Sequence, residues 1–194
     1  MWPAPVTLKG QHATLAPLSQ DHAADLASSV GDLHKLWYTA IPSPEGMGAE
    51  IDRRLGLVGK GTMLPFAVLD PSGRAVGMTT YMNIDAANKR VEIGSTWMSA
   101  SVQRSHMNTE CKLMLLTHAF DNLGCIAVEW RTHYLNVQSR RAIERLGAKL
   151  DGILRAHMVM PNGSLRDTAV YSVTAAEWPA VETHLLWQME KPRD

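Results

Sequence analysis

The chain has 194 residues, 45% of them apolar, and equal numbers of basic and acidic side chains, 19 each. That composition supports a proper hydrophobic core in one domain spanning 1–194 and argues against a disordered chain. Zero net charge gives no long-range pull towards nucleic acid or an anionic membrane. No run reaches the roughly 18 apolar residues of a membrane span and no signal-peptide pattern opens the chain, so a cytoplasmic protein is expected.

In chain order, "QHATLAPLS" alternates like a short strand, and Ser19 is placed to cap a helix over 20–29. "GDLHKLWYT" reads as a second helical stretch, and a third follows the proline-broken "IPSPEGMG" to about Gly59. Three strands then follow at 63–70, 75–85 and 90–99, joined by "PSGR" and "AANK" as in an antiparallel meander. From Thr109 to 122 the apolar residues Leu113, Leu116 and Phe120 share one helical face. A short strand at 124–132 leads to "NVQSRRAIERLGA", a helix capped by Asn136 and closed by Gly147 in the left-handed C′ position. "KLDGILRAHMVM" and "SLRDTAVYSVTA" form a hairpin through "PNG", and "EWPAVETHLLWQME" is a terminal amphipathic helix. The order defines an α+β fold with a strand–helix–strand segment embedded at 90–132.

The chemistry concentrates in a few places. The segment Gln103, Arg104, Ser105, His106, Met107, Asn108 and Thr109 joins a strand to a helix, where converging backbone N–H groups and the helix dipole can hold a phosphate. It contains no glycine, and its alternative reading is a solvated loop capped by Asn108 or Thr109. Asn136 and Ser139 are either a capping pair or a ligand amide contact with a hydroxyl aimed at a reacting centre. Glu92 and His157 lie on strands, where each either takes a proton from an amine or faces solvent. Trp37 and Tyr38 are candidates for a substrate-pocket wall, as is Tyr81; most other aromatics are expected in the core. His106, His118, His133 and His157 lack metal spacing, so no metal is expected, and Cys111 and Cys125 read as two buried reduced thiols.

Taken together, "VEIGSTWMS…QRSHMNTECKLMLLTHAF…CIAVEWRT…NVQSRRAIERLGA…GILRAHMVMPNGSLRDTAVYSVTAAEWP" resembles the GCN5-related N-acetyltransferases, in particular the ribosomal-protein N-terminal acetyltransferases of the RimJ/RimL type. The resemblance covers nearly the whole chain and is strongest over 90–173. It implies a mostly antiparallel mixed sheet with a splayed V between the parallel strands at 90–99 and 124–132. It also implies acetyl-CoA, its thioester held near Trp97, Met98 and Ser99, its pyrophosphate on the loop from Arg104 to Thr109, and its pantetheine arm against Asn136. Ser139 would protonate the departing thiolate, and the acceptor would be a primary amine, a small one or a protein N-terminus. Two departures stand out: His106 and Asn108 occupy the glycine positions of the family loop, and Met158 takes the place where some relatives carry a glutamate base. Glu92, His157 or ordered water is left to act as base. The alternatives are a catalytically inactive CoA-binding module of the same fold, and an interaction scaffold that dimerises through Leu185, Leu186 and Met189 of the last helix.

Overall fold

A computed structural model describes residues 2–191. Eight strands form one sheet in the order β1-β2-β3-β4-β5-β6-β8-β7. They are β1 (Leu8–Lys9), β2 (Thr14–Pro17), β3 (Met63–Leu69), β4 (Ala75–Asp85), β5 (Arg90–Met98), β6 (Ala127–His133), β7 (Lys149–Val159) and β8 (Leu165–Thr174). Every neighbouring pair is antiparallel except β5 and β6, which run parallel and meet only over Arg90–Glu92 and Ala127–Glu129. Beyond those three pairs the two strands separate, leaving the V that the resemblance implied.

Five α-helices cover the sheet: α1 (Ala23–Ser29), α2 (Met47–Gly59), α3 (Met107–Thr117), α4 (Val137–Glu144) and α5 (Trp178–Glu190). Leu26 of α1 and Met47 and Ile51 of α2 bury against Ala67, Ala75, Met78 and Trp97. A second, larger cluster joins Cys111, Leu115 and Leu116 of α3, Ile143 of α4 and Val181 and Leu185 of α5 to Val91, Ile93, Val128, Trp130 and Tyr171. The two sets lie on opposite faces of the sheet, and irregularities between Val68 and Leu69 and between Met78 and Thr80 interrupt the two-residue period, so that Ile93 and Trp97 of β5 join different clusters. Both cysteines are buried free thiols, which burial pushes up to about 12 for Cys111 and about 11 for Cys125. Gly147 adopts φ 95° just past α4, the left-handed conformation that favours glycine.

Several expectations need correction. The helical stretch expected at 31–39 is shorter and tighter: Gly31 has φ 52°, a 3₁₀ helix covers Gly31–Lys35, and residues 37–39 form a turn. Helix α3 begins at Met107 rather than Thr109, and Thr109 is fully buried within its first turn. Tyr81 lines neither of the two cavities described below. It is fully buried, packs edge-on against Phe66 and donates its hydroxyl to the Leu115 carbonyl, because its position on β4 faces α3. Leu185 is likewise spent on the core, so α5 offers only Leu186 and Trp187 as exposed large apolar side chains.

A buried carboxylate ties the amino-terminal hairpin to this frame. Glu110 of α3 accepts the backbone N–H groups of Gln11, His12 and Ala13 at 2.7, 2.8 and 2.8 Å. The Gly10 backbone lies so close that an added Cβ would stand 2.4 Å from the Glu110 carboxyl carbon. Such charge-assisted bonds anchor β1 and β2 beside the start of α3.

Candidate active site

The V opens into a cavity of about 700 Å³. One wall is β5 from Ile93 to Met98, the other is β6 at Trp130–Thr132, and Asn136, Ser139 and Arg141 close it from the α4 side. The start of α3 supplies Gln103, Arg104, Ser105, Asn108 and Lys112, while Leu36, Tyr38 and Ile41 form a roof. The stretch 31–39 is therefore a cavity wall.

The glycine-free loop is built without a glycine conformation at either family position. His106 sits at φ −68°, in the ordinary right-handed region, and Asn108 is inside α3. The left-handed turn falls on Arg104, at φ 59°. Gln103 donates to the Met98 carbonyl at 2.9 Å and Ser105 to the Val102 carbonyl at 2.6 Å, fixing the loop to the end of β5. The N–H groups of Arg104 and Asn108 have no acceptor among the described residues. His106 turns its ring out of the cavity and stacks on His12, centroids 5.4 Å apart and planes 20° from parallel. Asn108, by contrast, is among the residues that line the cavity. Met107 is buried in the core.

Ser139 is not consumed by capping. The cap is Asn136, whose Oδ1 accepts the Ser139 N–H at 3.0 Å. The Ser139 hydroxyl makes no hydrogen bond to a described residue, and it lines the cavity with Asn136. Trp97 and Trp130 line the same cavity, and each holds a buried indole N–H without an acceptor among the described residues. Such donors are expensive to leave unmade, so they favour a ligand rich in carbonyl oxygens. A phosphate-ended amide chain fits this donor set: free N–H groups and Arg104 at the helix start, orphaned donors deeper in.

The other sequence candidates separate. Glu92 is 4% exposed, accepts Asn83 Nδ2 at 2.7 Å and lies 3.6 Å from Arg131. Burial raises its pKa above the ordinary carboxylate value, opposed by the Asn83 bond and Arg131. It lines a second, polar cavity of about 390 Å³, which touches the main one through Arg131. His157 stands outside the main cavity's lining: it is exposed on the edge strand β7 and engages the Thr168 hydroxyl at 3.1 Å. It falls within a register break between Leu154 and Met158. Trp37 is 49% exposed and does not line the cavity itself, but packs edge-on against both Tyr38 and His133. His133 is the histidine the pattern did not single out. The Leu135 N–H donates to its Nδ1, which puts the ring proton on Nε2, and burial with Arg166 nearby lowers its pKa. Among the described residues no His, Cys, Asp and Glu group could hold a metal, and no helix is long and apolar enough to cross a membrane.

Sequence reasoning did not single out Lys112, which lines the cavity from α3. Its position three and four residues before Leu115 and Leu116, on the buried side of α3, is the signal that was available.

A sheet parted between two parallel strands, with a helix start and free donors at the parting, is the frame of the site. The sequence then specifies which kind of protein carries it: residues 12–149 match the acetyltransferase (GNAT) domain family, to which the chain belongs. YdaF of Bacillus subtilis, a protein named for ribosomal N-acetyltransferase activity, is 30% identical over 106 residues. That match spans 55% of this chain and 57% of the relative's length. A GCN5-related N-acetyltransferase from Brucella melitensis is 35% identical with a TM-score of 0.86, over 96% of this chain and 86% of that one. Mycobacterium smegmatis RimJ in complex with CoA-disulfide shares the fold at a TM-score of 0.78 and 22% identity, over 96% and 95% of the two chains.

Proposed function

We propose that this protein transfers the acetyl group of acetyl-CoA to a primary amine, with both substrates bound together. The observation that carries the reading is one continuous cavity in which the α3 start, the open edges of β5 and β6, and the unspent Ser139 hydroxyl face the same space. Arg104 and the loop N–H groups hold the pyrophosphate, and Asn136 meets the pantetheine arm. Acetyl-CoA supplies an activated acyl group, and the chain supplies alignment, which accounts for much of the rate in such a reaction. Donors near the end of β5 stabilise charge on the carbonyl oxygen as the amine attacks. Ser139 then protonates the departing thiolate.

The amine must arrive neutral. Glu92, with its raised pKa and its link to the cavity through Arg131, supports a role as the eventual proton acceptor through water; the exposed His157 does not. The acceptor reading is a peptide N-terminus, supported by the name of YdaF, a ribosomal N-acetyltransferase, and by the lining that residues 33–41 add to the cavity. A small amine is the competing acceptor.

Calorimetric titration with acetyl-CoA and with CoA at physiological salt tests the first half. Micromolar binding followed by thiol release with N-terminal peptides supports the proposal. Binding without release for any amine or peptide leaves a CoA-binding module of this fold, and absence of binding removes the reading.

A further inference from the structure

Lys112 is a buried cation to which no carboxylate is offered. The residue is 5% exposed, and its Nζ donates to Thr79 Oγ1 at 3.2 Å and Thr96 Oγ1 at 2.8 Å. The two hydroxyls lie 2.8 Å apart, and Thr96 also reaches the Gly94 carbonyl at 3.4 Å. Lysine carries three N–H donors when charged, so one is left over. Both Lys112 and Thr96 line the cavity in the V. A methionine would fill the same space without a charge to desolvate, so an ammonium held there calls for a use.

Its place along α3 says what that use is. Asn108 and Lys112 are four residues apart, so they stack on one face of the helix about 6 Å from each other. A ligand whose pyrophosphate rests at the level of Asn108 has its pantetheine arm one helical turn further in, beside Lys112 and the open edge of β5. The arm presents amide and thioester carbonyls, which are acceptors.

We propose that Lys112 is a binding residue for the pantetheine arm of acetyl-CoA, donating its remaining N–H to a carbonyl oxygen of the arm. Thr79 and Thr96 are its positioning residues. The proposal rests on the acetyl-CoA reading of the cavity.

The surroundings make the charge titratable in an accessible range. Among the described residues the amine hydrogen-bonds to the two threonine hydroxyls of the sheet, and Cys111, its neighbour on α3, is a neutral thiol. The cavity lining adds Arg104 from the loop, Arg131 from β6, Arg141 and Arg145 from the α4 side, and Tyr38 from the roof. Burial brings the Lys112 pKa down to about 8. The protonated amine is the stronger donor to a bound carbonyl, so binding raises that pKa, and this contribution to affinity is full below about 8 and fades above it.

The experiment compares two ligands on the intact protein. One is acetyl-CoA; the other is adenosine diphosphate carrying the cofactor's ribose phosphate, which keeps the pyrophosphate and lacks the arm. For Lys112→Met we expect about tenfold weaker acetyl-CoA binding, equivalent to about 1.4 kcal/mol, with the truncated ligand unchanged. Equal weakening of both ligands means a displaced helix and overturns the proposal, as does no weakening of either. Should the variant fail to fold, the wild type decides: acetyl-CoA affinity should fall about tenfold between pH 7 and pH 9 while the truncated ligand holds steady. A flat ratio overturns the proposal and leaves the acetyl-CoA reading standing. Absence of binding of either ligand to the wild type overturns both.

Discussion

Replacing Asn108 with aspartate sets two consequences of one charge against each other. Asn108 lies in the first turn of α3 and lines the cavity, so the new carboxylate faces the place proposed for the pyrophosphate. At about 6 Å and an effective dielectric of about 40, each phosphate charge is repelled by roughly 1.4 kcal/mol. Two charges, screened by salt at the cavity mouth, leave about 1.5–3 kcal/mol, or a ten- to hundredfold rise in Kd. The same carboxylate favours the helix dipole by about 0.3–1 kcal/mol, so the melting temperature should hold or rise. Binding is measured by calorimetry and stability by thermal melting on the same preparation. Asn108→Ala separates charge from the lost amide and should weaken binding by less than about threefold, its only loss being a side-chain contact. Unchanged affinity in Asn108→Asp would place the phosphate elsewhere. Equal damage from alanine and aspartate would refute the electrostatic reasoning.

Glu110→Gln replaces one of two accepting oxygens with a donor facing backbone N–H groups, and denaturant unfolding should show a loss of about 2–4 kcal/mol. Ser139→Ala should lower kcat about 100-fold in a thiol-release assay. It should move stability by less than about 0.5 kcal/mol, because the hydroxyl carries no bond in the fold. Glu177 is held down to about 2 by Lys149 and by the Thr174 N–H and hydroxyl, so its contribution is complete above the ordinary carboxylate range and fades as pH falls towards 2. Glu177→Gln should therefore melt below wild type at pH 7, with the gap narrowing steadily from pH 5 to pH 3; a constant gap would show that the carboxylate charge is not what holds α5.

Much of the frame could be read from local patterns. The strands expected at 63–70, 75–85 and 90–99 appear at Met63–Leu69, Ala75–Asp85 and Arg90–Met98, because alternation and tight turns are properties of consecutive residues. What escaped depends on which face a residue presents and what lies across from it. Tyr81 and Thr80 differ by one step on β4, yet Tyr81 enters the core beneath α3 while Thr80 meets the buried Arg54 of α2 at 2.8 Å. No period says which face carries the cavity. Lys112 escaped for a related reason: a charge on an amphipathic helix is ordinarily assigned to solvent, and although its spacing to Leu115 and Leu116 marks the buried side, what its amine meets becomes evident only once Thr79 and Thr96 are brought to it from two strands.

The glycine-free loop shows how far such a dependency can reach. A glycine at a phosphate loop serves either an unusual backbone angle or close approach of the ligand. The first need is absent at His106, which has an ordinary φ, and the left-handed turn is borne by Arg104. The second is met by moving the side chain, since the His106 ring leaves the cavity to stack on His12. His12 is in position because its own backbone, with those of Gln11 and Ala13, is bonded to Glu110 only four residues beyond His106. The amino-terminal hairpin thus acts as a receptacle for the side chain that replaced a glycine. If so, loosening the hairpin with Glu110→Gln should weaken acetyl-CoA binding as well as the fold, and His106→Gly in that background should restore the binding but not the stability. Recovery of neither would mean that the His106–His12 stack plays no part in keeping the cavity open.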